Sequence, residues 1–166
     1  MGEIREHGAG SAGIVVGVDG SPLSVEALRW AARLAAGIGG QITAVMAWEY
    51  PANAVMGSFP GAEWDPEQDA EQRLHSAARE AFGDPLPEGL SLETVQGPAR
   101  HVLLERSRDA ELLVLGSRGL GGFRGMLLGS VSAACAEHAT CPVLVLHGSG
   151  PAGAATDPAA AQADAV

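Results

Sequence analysis

The chain has no lysine: all ten of its basic residues are arginines. That absence excludes the common NTPase phosphate loop, G-x-x-x-x-G-K-[ST], whose lysine must reach the β- and γ-phosphates. Cysteine is nearly absent too. Cys135 and Cys141 are too few for a disulfide framework and lack the paired C-x-x-C or His spacing of a zinc site, so both read as buried apolar thiols. Aromatic residues make up only 4% of the chain, against 46% apolar residues overall and 23 glycines, which points to a methyl-rich core built on Ala, Val and Leu. No apolar run approaches the roughly 20 residues that span a bilayer. The polar, mixed-charge start Met1 to Ser11 carries no secretory signal, so the expectation is a cytoplasmic protein with no membrane partner. Positive charge is scarce. With 20 acidic residues against ten arginines the formal net charge is −10, a field that repels nucleic-acid backbones and anionic lipid. Any anionic ligand must therefore be held by local amides, one or two arginines and a divalent cation.

At 166 residues the chain fits a single domain with a substantial core. Residues 1–12 and 148–166 have no periodic apolar face, and the second stretch is rich in Ala, Gly and Pro; both read as disordered tails around a body at 13–147. Within the body, short aliphatic runs alternate with Ala-rich helical stretches. Strands are expected at Ile14 to Asp19, Gln41 to Trp48, Leu90 to Gln96, Glu111 to Leu115 and Pro142 to Leu146. Helices are expected at Ser24 to Ala36, introduced by Ser21-Pro22; from Asp65-Pro66 to about Phe82; at Ala99 to Arg108; and from Ser130 onward. In the first helix Ala27, Leu28, Ala31, Leu34 and Ala35 share a face, and in the second Ala70, Leu74, Ala77, Ala78 and Ala81 do. In the third, Val102 and Leu103 point inward, with the Arg106 stem a further option. Strict alternation of strand and helix implies a parallel sheet covered by helices on both faces.

The most informative stretch is Gly116-Ser117-Arg118-Gly119, nine residues, then Gly129-Ser130, lying between an apolar strand and a helix start. Unpaired amides at a helix N-terminus, approached through glycines, suit a phosphate or another anion. The loop is not the dinucleotide fingerprint either, since that belongs after the first strand of its unit. Gly129 and Ser130 place amides and a hydroxyl at the helix start, where phosphates are expected to sit. Ser132 offers a second hydroxyl, or an ordinary cap. Arg118 and Arg124 are either a clamp for a terminal phosphate or solvated surface arginines. Leu120, Phe123, Met126, Leu127 and Leu128 make the loop apolar enough to fold over a ligand or against a partner. The five histidines do not gather, and no H-E-x-x-H run or G-x-S-x-G elbow occurs.

The spacing G-x-x-G-x9-G-[ST] resembles the ATP-binding branch of the universal stress protein family, and the resemblance continues through Val15-Val16-Gly17-Val18-Asp19-Gly20-Ser21, Ile42 to Trp48 and Cys141 to Leu146. It implies a five-stranded parallel α/β sheet in the order 3-2-1-4-5, the adenine nucleotide alpha hydrolase-like arrangement. Its ligand crevice lies beyond the carboxyl ends of the first and fourth strands. It implies ATP with Mg or Mn as the ligand, held by Asp19, the backbone of Val45 at the adenine edge, Gly116, Arg118, Gly119, Gly129, Ser130, Val131 and Ser132. Asp19 has the alternative of capping the Gly20-Ser21-Pro22 turn, and the Val45 side chain is core in either case. The resemblance also implies a homodimer paired through the last strand. Without lysine, and with only loop arginines to stabilise charge at a γ-phosphate, hydrolysis is expected to be slow or absent and the chain a binding module in stress adaptation rather than an enzyme. Two alternatives stand beside it: a nucleotide-free interaction protein whose glycine loop is structural, and a slow ATP hydrolase. The latter is disfavoured because Asp19-Gly20-Ser21-Pro22-Leu23-Ser24 matches S-G-G-x-D-S poorly.

Overall fold

The computed structural model describes residues 13–38, 40–50, 65–120 and 128–148. Nine elements follow one another: β1 (Ile14–Gly17), α1 (Pro22–Ile38), β2 (Ile42–Trp48), α2 (Pro66–Phe82), β3 (Leu90–Gln96), α3 (Ala99–Arg106), β4 (Leu112–Gly116), α4 (Ser130–His138) and β5 (Val143–Leu146). The strands form one parallel sheet in the order β3-β2-β1-β4-β5. This is the order that the sequence resemblance implies.

Alternation along each strand sorts side chains to two faces. Ile14 and Val16 of β1, Ala44 and Met46 of β2 and Val114 of β4 pack with Ala27, Leu28 and Ala31 of α1 and Ala70, Leu74 and Ala77 of α2. On the opposite face Val15, Val45, Leu113 and Leu115 meet Val102 and Leu103 of α3 and Cys135 of α4. Leu34 and Ala81 are only partly buried at the margins of the first cluster.

Element boundaries differ from the sequence expectations for local chemical reasons. β1 stops at Gly17 rather than Asp19: Val18 N–H still donates to the Val45 carbonyl at 2.9 Å, after which the chain turns through Gly20 at φ +83°. Helix α1 begins at Pro22, two residues early. Ser21 is already its cap, its Oγ accepting from Ser24 N–H at 3.2 Å, and proline at the first helical position loses no needed donor. At the other end α1 runs through Gly37 to Ile38. Helix α3 ends at Arg106 because Ser107 and Ala110 enter a turn, Ala110 N–H donating to Ser107 O. The Arg106 stem does not turn inward. Arg106 is exposed and its Nε sits 3.1 Å from Glu93 Oε2. β4 is displaced by one residue, since Gly116 pairs with Leu146, and β5 starts after Pro142, which has no N–H to give. Asp65 caps α2 as expected, accepting from Glu67 N–H at 3.0 Å. The expected tails at 1–12 and 148–166 lie outside the described residues, apart from Gly148, as do Arg124, Phe123, Met126 and Leu127.

Candidate nucleotide-binding site

A cavity of about 560 Å³ opens at the carboxyl ends of β1, β2 and β4, between the N-termini of α3 and α4. Asp19, Val45, Gly116, Arg118, Gly119, Gly129, Ser130, Val131 and Ser132 all line it, although the sequence scatters them over more than a hundred positions. The strand order explains the convergence. β2 and β4 flank β1 on opposite sides, so the chain leaves β1 one way and β4 the other, opening a crevice between them.

One wall of the cavity is the start of α4. Its N-cap is Gly129 (φ −71°, ψ 164°), and no side chain caps the helix. Gly129 N–H donates to Ser117 O at 2.7 Å and the helical ladder begins with Ala133 N–H on Gly129 O, so the amides of Ser130, Val131 and Ser132 are the uncapped donors. They meet the cavity at the positive end of the helix dipole.

Ser117 O also accepts from Ser132 Oγ at 2.8 Å, and Ser132 Oγ lies 3.0 Å from Gly129 O. With Ser117 N–H donating to Leu146 O at 2.7 Å, the two ends of the glycine loop are fastened together at the sheet. Of the two roles open to Ser132, the buried hydroxyl performs the structural one, which leaves the uncapped amide as what Ser132 can offer a ligand. The exposed Ser130 hydroxyl has no such commitment among the described residues.

Asp19 likewise does what a cap does, and more. Its Oδ1 accepts from Ser21 N–H at 2.9 Å, closing the turn, and its Oδ2 accepts from Leu120 N–H at 2.9 Å, binding the first loop to the glycine loop. Gly119 lets the two loops approach: a Cβ there would meet Asp19 Oδ2 and oblige the carboxylate to move. Gly116 owes its glycine to packing: a Cβ would lie 2.8 Å from the Cβ of Leu23 on α1.

The Val45 carbonyl is already taken by Val18 N–H. Alternation places the backbone groups of Trp48 toward β3, where Trp48 O accepts from Gly97 N–H at 2.8 Å, and those of Val45 and Ala47 toward β1. β1 has ended by then, and no backbone partner for Ala47 occurs among the described residues. Among the described residues, the donor and acceptor pair left without a backbone partner at the cavity therefore belongs to Ala47, two residues beyond the expected Val45. Residue type carries no trace of this. Only the register with β1 reveals it.

Ala99 and Leu103 of α3 and Leu115 of β4 complete an apolar wall that the sequence did not single out. Gly17 at its base leaves room for them, since a Cβ there would meet Leu115 Cδ2 and lie 3.0 Å from Leu103 Cδ1. An apolar slot edged by one backbone donor and acceptor, next to a row of helix amides, suits a flat heteroaromatic ring attached to a phosphate.

These features agree with comparisons to known proteins. The model of the Universal stress protein family matches residues 13–147. The chain belongs to that family. It is 33% identical over 137 residues to a universal stress protein of Mycolicibacterium smegmatis, covering 81% of this chain and 45% of the relative. It is 34% identical over 134 residues to one from Mycobacterium tuberculosis strain H37Rv, covering 80% and 44%. The chain thus spans under half the length of these curated relatives. Among solved structures, a universal stress protein in complex with cAMP superposes with a TM-score of 0.62 at 26% identity, covering 84% of this chain and 99% of that one.

Among the described residues no group of three His, Cys, Asp or Glu side chains could hold a metal ion. His75, His101, His138 and His147 are all exposed and apart from the cavity. No described helix is long and apolar enough to cross a membrane. Cys135 lies fully buried on the α3/α4 face. Burial, with a smaller contribution from Cys141, pushes its thiol from 9.0 up to about 11; Cys141 is half-buried.

Proposed function

We propose that this universal stress protein binds ATP in the cavity at the carboxyl ends of β1, β2 and β4 and acts as a nucleotide-responsive module in stress adaptation. The observation that carries the reading is the meeting of the uncapped amides of Ser130, Val131 and Ser132 with the free backbone edge of Ala47 across one apolar slot. The solved relative bound to cAMP supports an adenine nucleotide as the class of ligand. In this reading the adenine lies between Val45, Leu103 and Leu115 with its edge on Ala47. The sugar hydroxyls approach Asp19, and the phosphates meet the start of α4 with Arg118 beside them.

A metal ion, Mg or Mn, would arrive bound to the phosphates rather than in a protein cage, since the only carboxylate lining the cavity among the described residues is Asp19, already holding two amides. Bound there, it would offset the charge of the nucleotide against a protein of net charge −10. The residues present bind and orient. Fast phosphoryl transfer needs fixed cations at the γ-phosphate, and a chain without lysine has few to offer, so hydrolysis is slow or absent.

The same reading includes a homodimer joined through β5, an edge strand whose four apolar residues are all only half-buried; pairing it with its own copy would cover backbone groups otherwise open to aggregation. Calorimetry with ATP, cAMP and GTP, with and without Mg²⁺, tests the ligand, and sedimentation tests the dimer. Saturable ATP binding strengthened by Mg²⁺ and weak GTP binding are expected. A folded protein that binds no adenine nucleotide would return the glycine loop to a purely structural role.

A further inference from the structure

Helix α2 packs against α1, β2 and β3, on the face of the sheet away from the cavity wall of α3. One of its side chains nevertheless reaches the site. Arg73 Nη2 donates to the backbone carbonyl of Asp19 at 2.5 Å, across 54 positions of sequence, while Nη1 lies 3.8 Å from Asp69 Oδ2 one turn earlier. The guanidinium lies alongside Gly20: a Cβ there would make only ordinary contact with it, 3.6 Å from Nη2 and 3.7 Å from Nε, and it is the φ of +83° that favours glycine. Asp19 is thus held from three segments, by Arg73 at its carbonyl, by Ser21 at Oδ1 and by Leu120 at Oδ2.

We infer that Arg73 is a positioning residue of the ligand site. By holding the Asp19 carbonyl it sets the Asp19 carboxylate on the cavity rim and, through the Leu120 amide, the path of the glycine loop as it leaves β4. An arginine suits this work because its planar fork engages a carbonyl and a carboxylate together. The inference rests on the nucleotide reading above for its functional consequence. The clamp itself is a property of the unliganded protein.

The test compares Arg73→Met, which keeps the stem and loses the donor, with Arg73→Lys, which restores one. In the unliganded protein, amide hydrogen exchange at Leu120 and Ser21 is expected to quicken in the Met variant while the buried Ala77 and Ala78 amides of α2 keep wild-type protection, and the Lys variant is expected to recover most of the difference. ATP affinity should fall by about fivefold to tenfold in Arg73→Met, the equivalent of one ordinary hydrogen bond, with partial rescue by lysine. Unchanged Leu120 exchange and unchanged affinity in Arg73→Met overturn the inference. So does a loss that tracks a fall in global stability and is not rescued by lysine. Wild-type protein that binds no ATP defeats the nucleotide reading instead, and the exchange experiment then still decides whether the clamp exists.

Discussion

The two faces of the sheet solve different problems. On one, two 17-residue helices, α1 and α2, cover the sheet with alanines and leucines. On the other, α3 and α4 have only eight and nine residues, the buried cluster is smaller, and a cavity remains where their N-termini approach the strand ends. The first face gives up functional surface for packing. The second gives up packing for exposed amides, an open backbone edge and a wall of Leu103 and Leu115. Fold stability should therefore be concentrated on the α1/α2 side and ligand affinity on the α3/α4 side, with Asp19 and Arg73 the link between them.

The comparison breaks most sharply at Leu28 and Leu103. Leu28, on the inner face of α1, is fully buried, so Leu28→Ala should cost about 3 kcal/mol in urea unfolding, within the range for a leucine truncated in a close-packed core. Leu103 borders the open cavity. Its alanine variant should lose roughly half as much stability, because part of the space it leaves is already solvent, and should weaken ATP binding where Leu28→Ala does not.

The glycines sharpen the same contrast. Gly116→Val drives a side chain into Leu23 and should destabilise the fold by about 1–3 kcal/mol, so lost binding in that variant says little about the site. Gly119→Ala meets only the Asp19 carboxylate. It should leave the unfolding midpoint nearly unchanged while disturbing the Asp19 to Leu120 hydrogen bond and reducing affinity in calorimetry.

A pH dependence follows from Cys135 on the cavity face. Its folded-state thiol titrates near 11 against 9.0 for an ordinary one, so the folded state keeps a proton that the unfolded state releases. The resulting stability is fully present below pH 9 and is lost as pH rises from about 9 to about 11. Urea midpoints measured across that window should fall more steeply for wild type than for Cys135→Ala, and the native thiol should resist alkylation at neutral pH. The smallest effect is expected at the far end of the other face. Asp65→Ala removes the α2 cap and should cost about 1 kcal/mol with no change in ATP affinity.

The nine elements and their order were legible because short aliphatic runs bounded by Gly, Pro and Asp leave few alternatives. Strand ends were less so, since they depend on which neighbour still has a partner to offer, as Val18 and Gly116 show. The glycine loop and the α4 start were readable as one spacing, and Asp19 as the end of the first strand in a separate block of the family resemblance. Ala47 was not, because its contribution is a backbone edge exposed by the early end of β1. Arg73 was hidden differently: an arginine on an exposed helix face is common, and only the fold brings it to the Asp19 carbonyl. Gly116 reads as a ligand-approach glycine and does line the cavity, and the position of Leu23 adds a packing reason for it that the sequence does not show.

The central claim is that ligand and amides meet at the start of α4 and at Ala47. It is tested most directly by titrating ATP with Mg²⁺ into isotopically labelled protein and following every backbone amide by NMR. The account expects the largest shifts at Ser130, Val131, Ser132, Gly119 and Ala47, with Ala77 and Ala78 of α2 unmoved. Saturable binding whose shifts fall on the α1/α2 face, or that leaves the α4 amides unchanged, would contradict it.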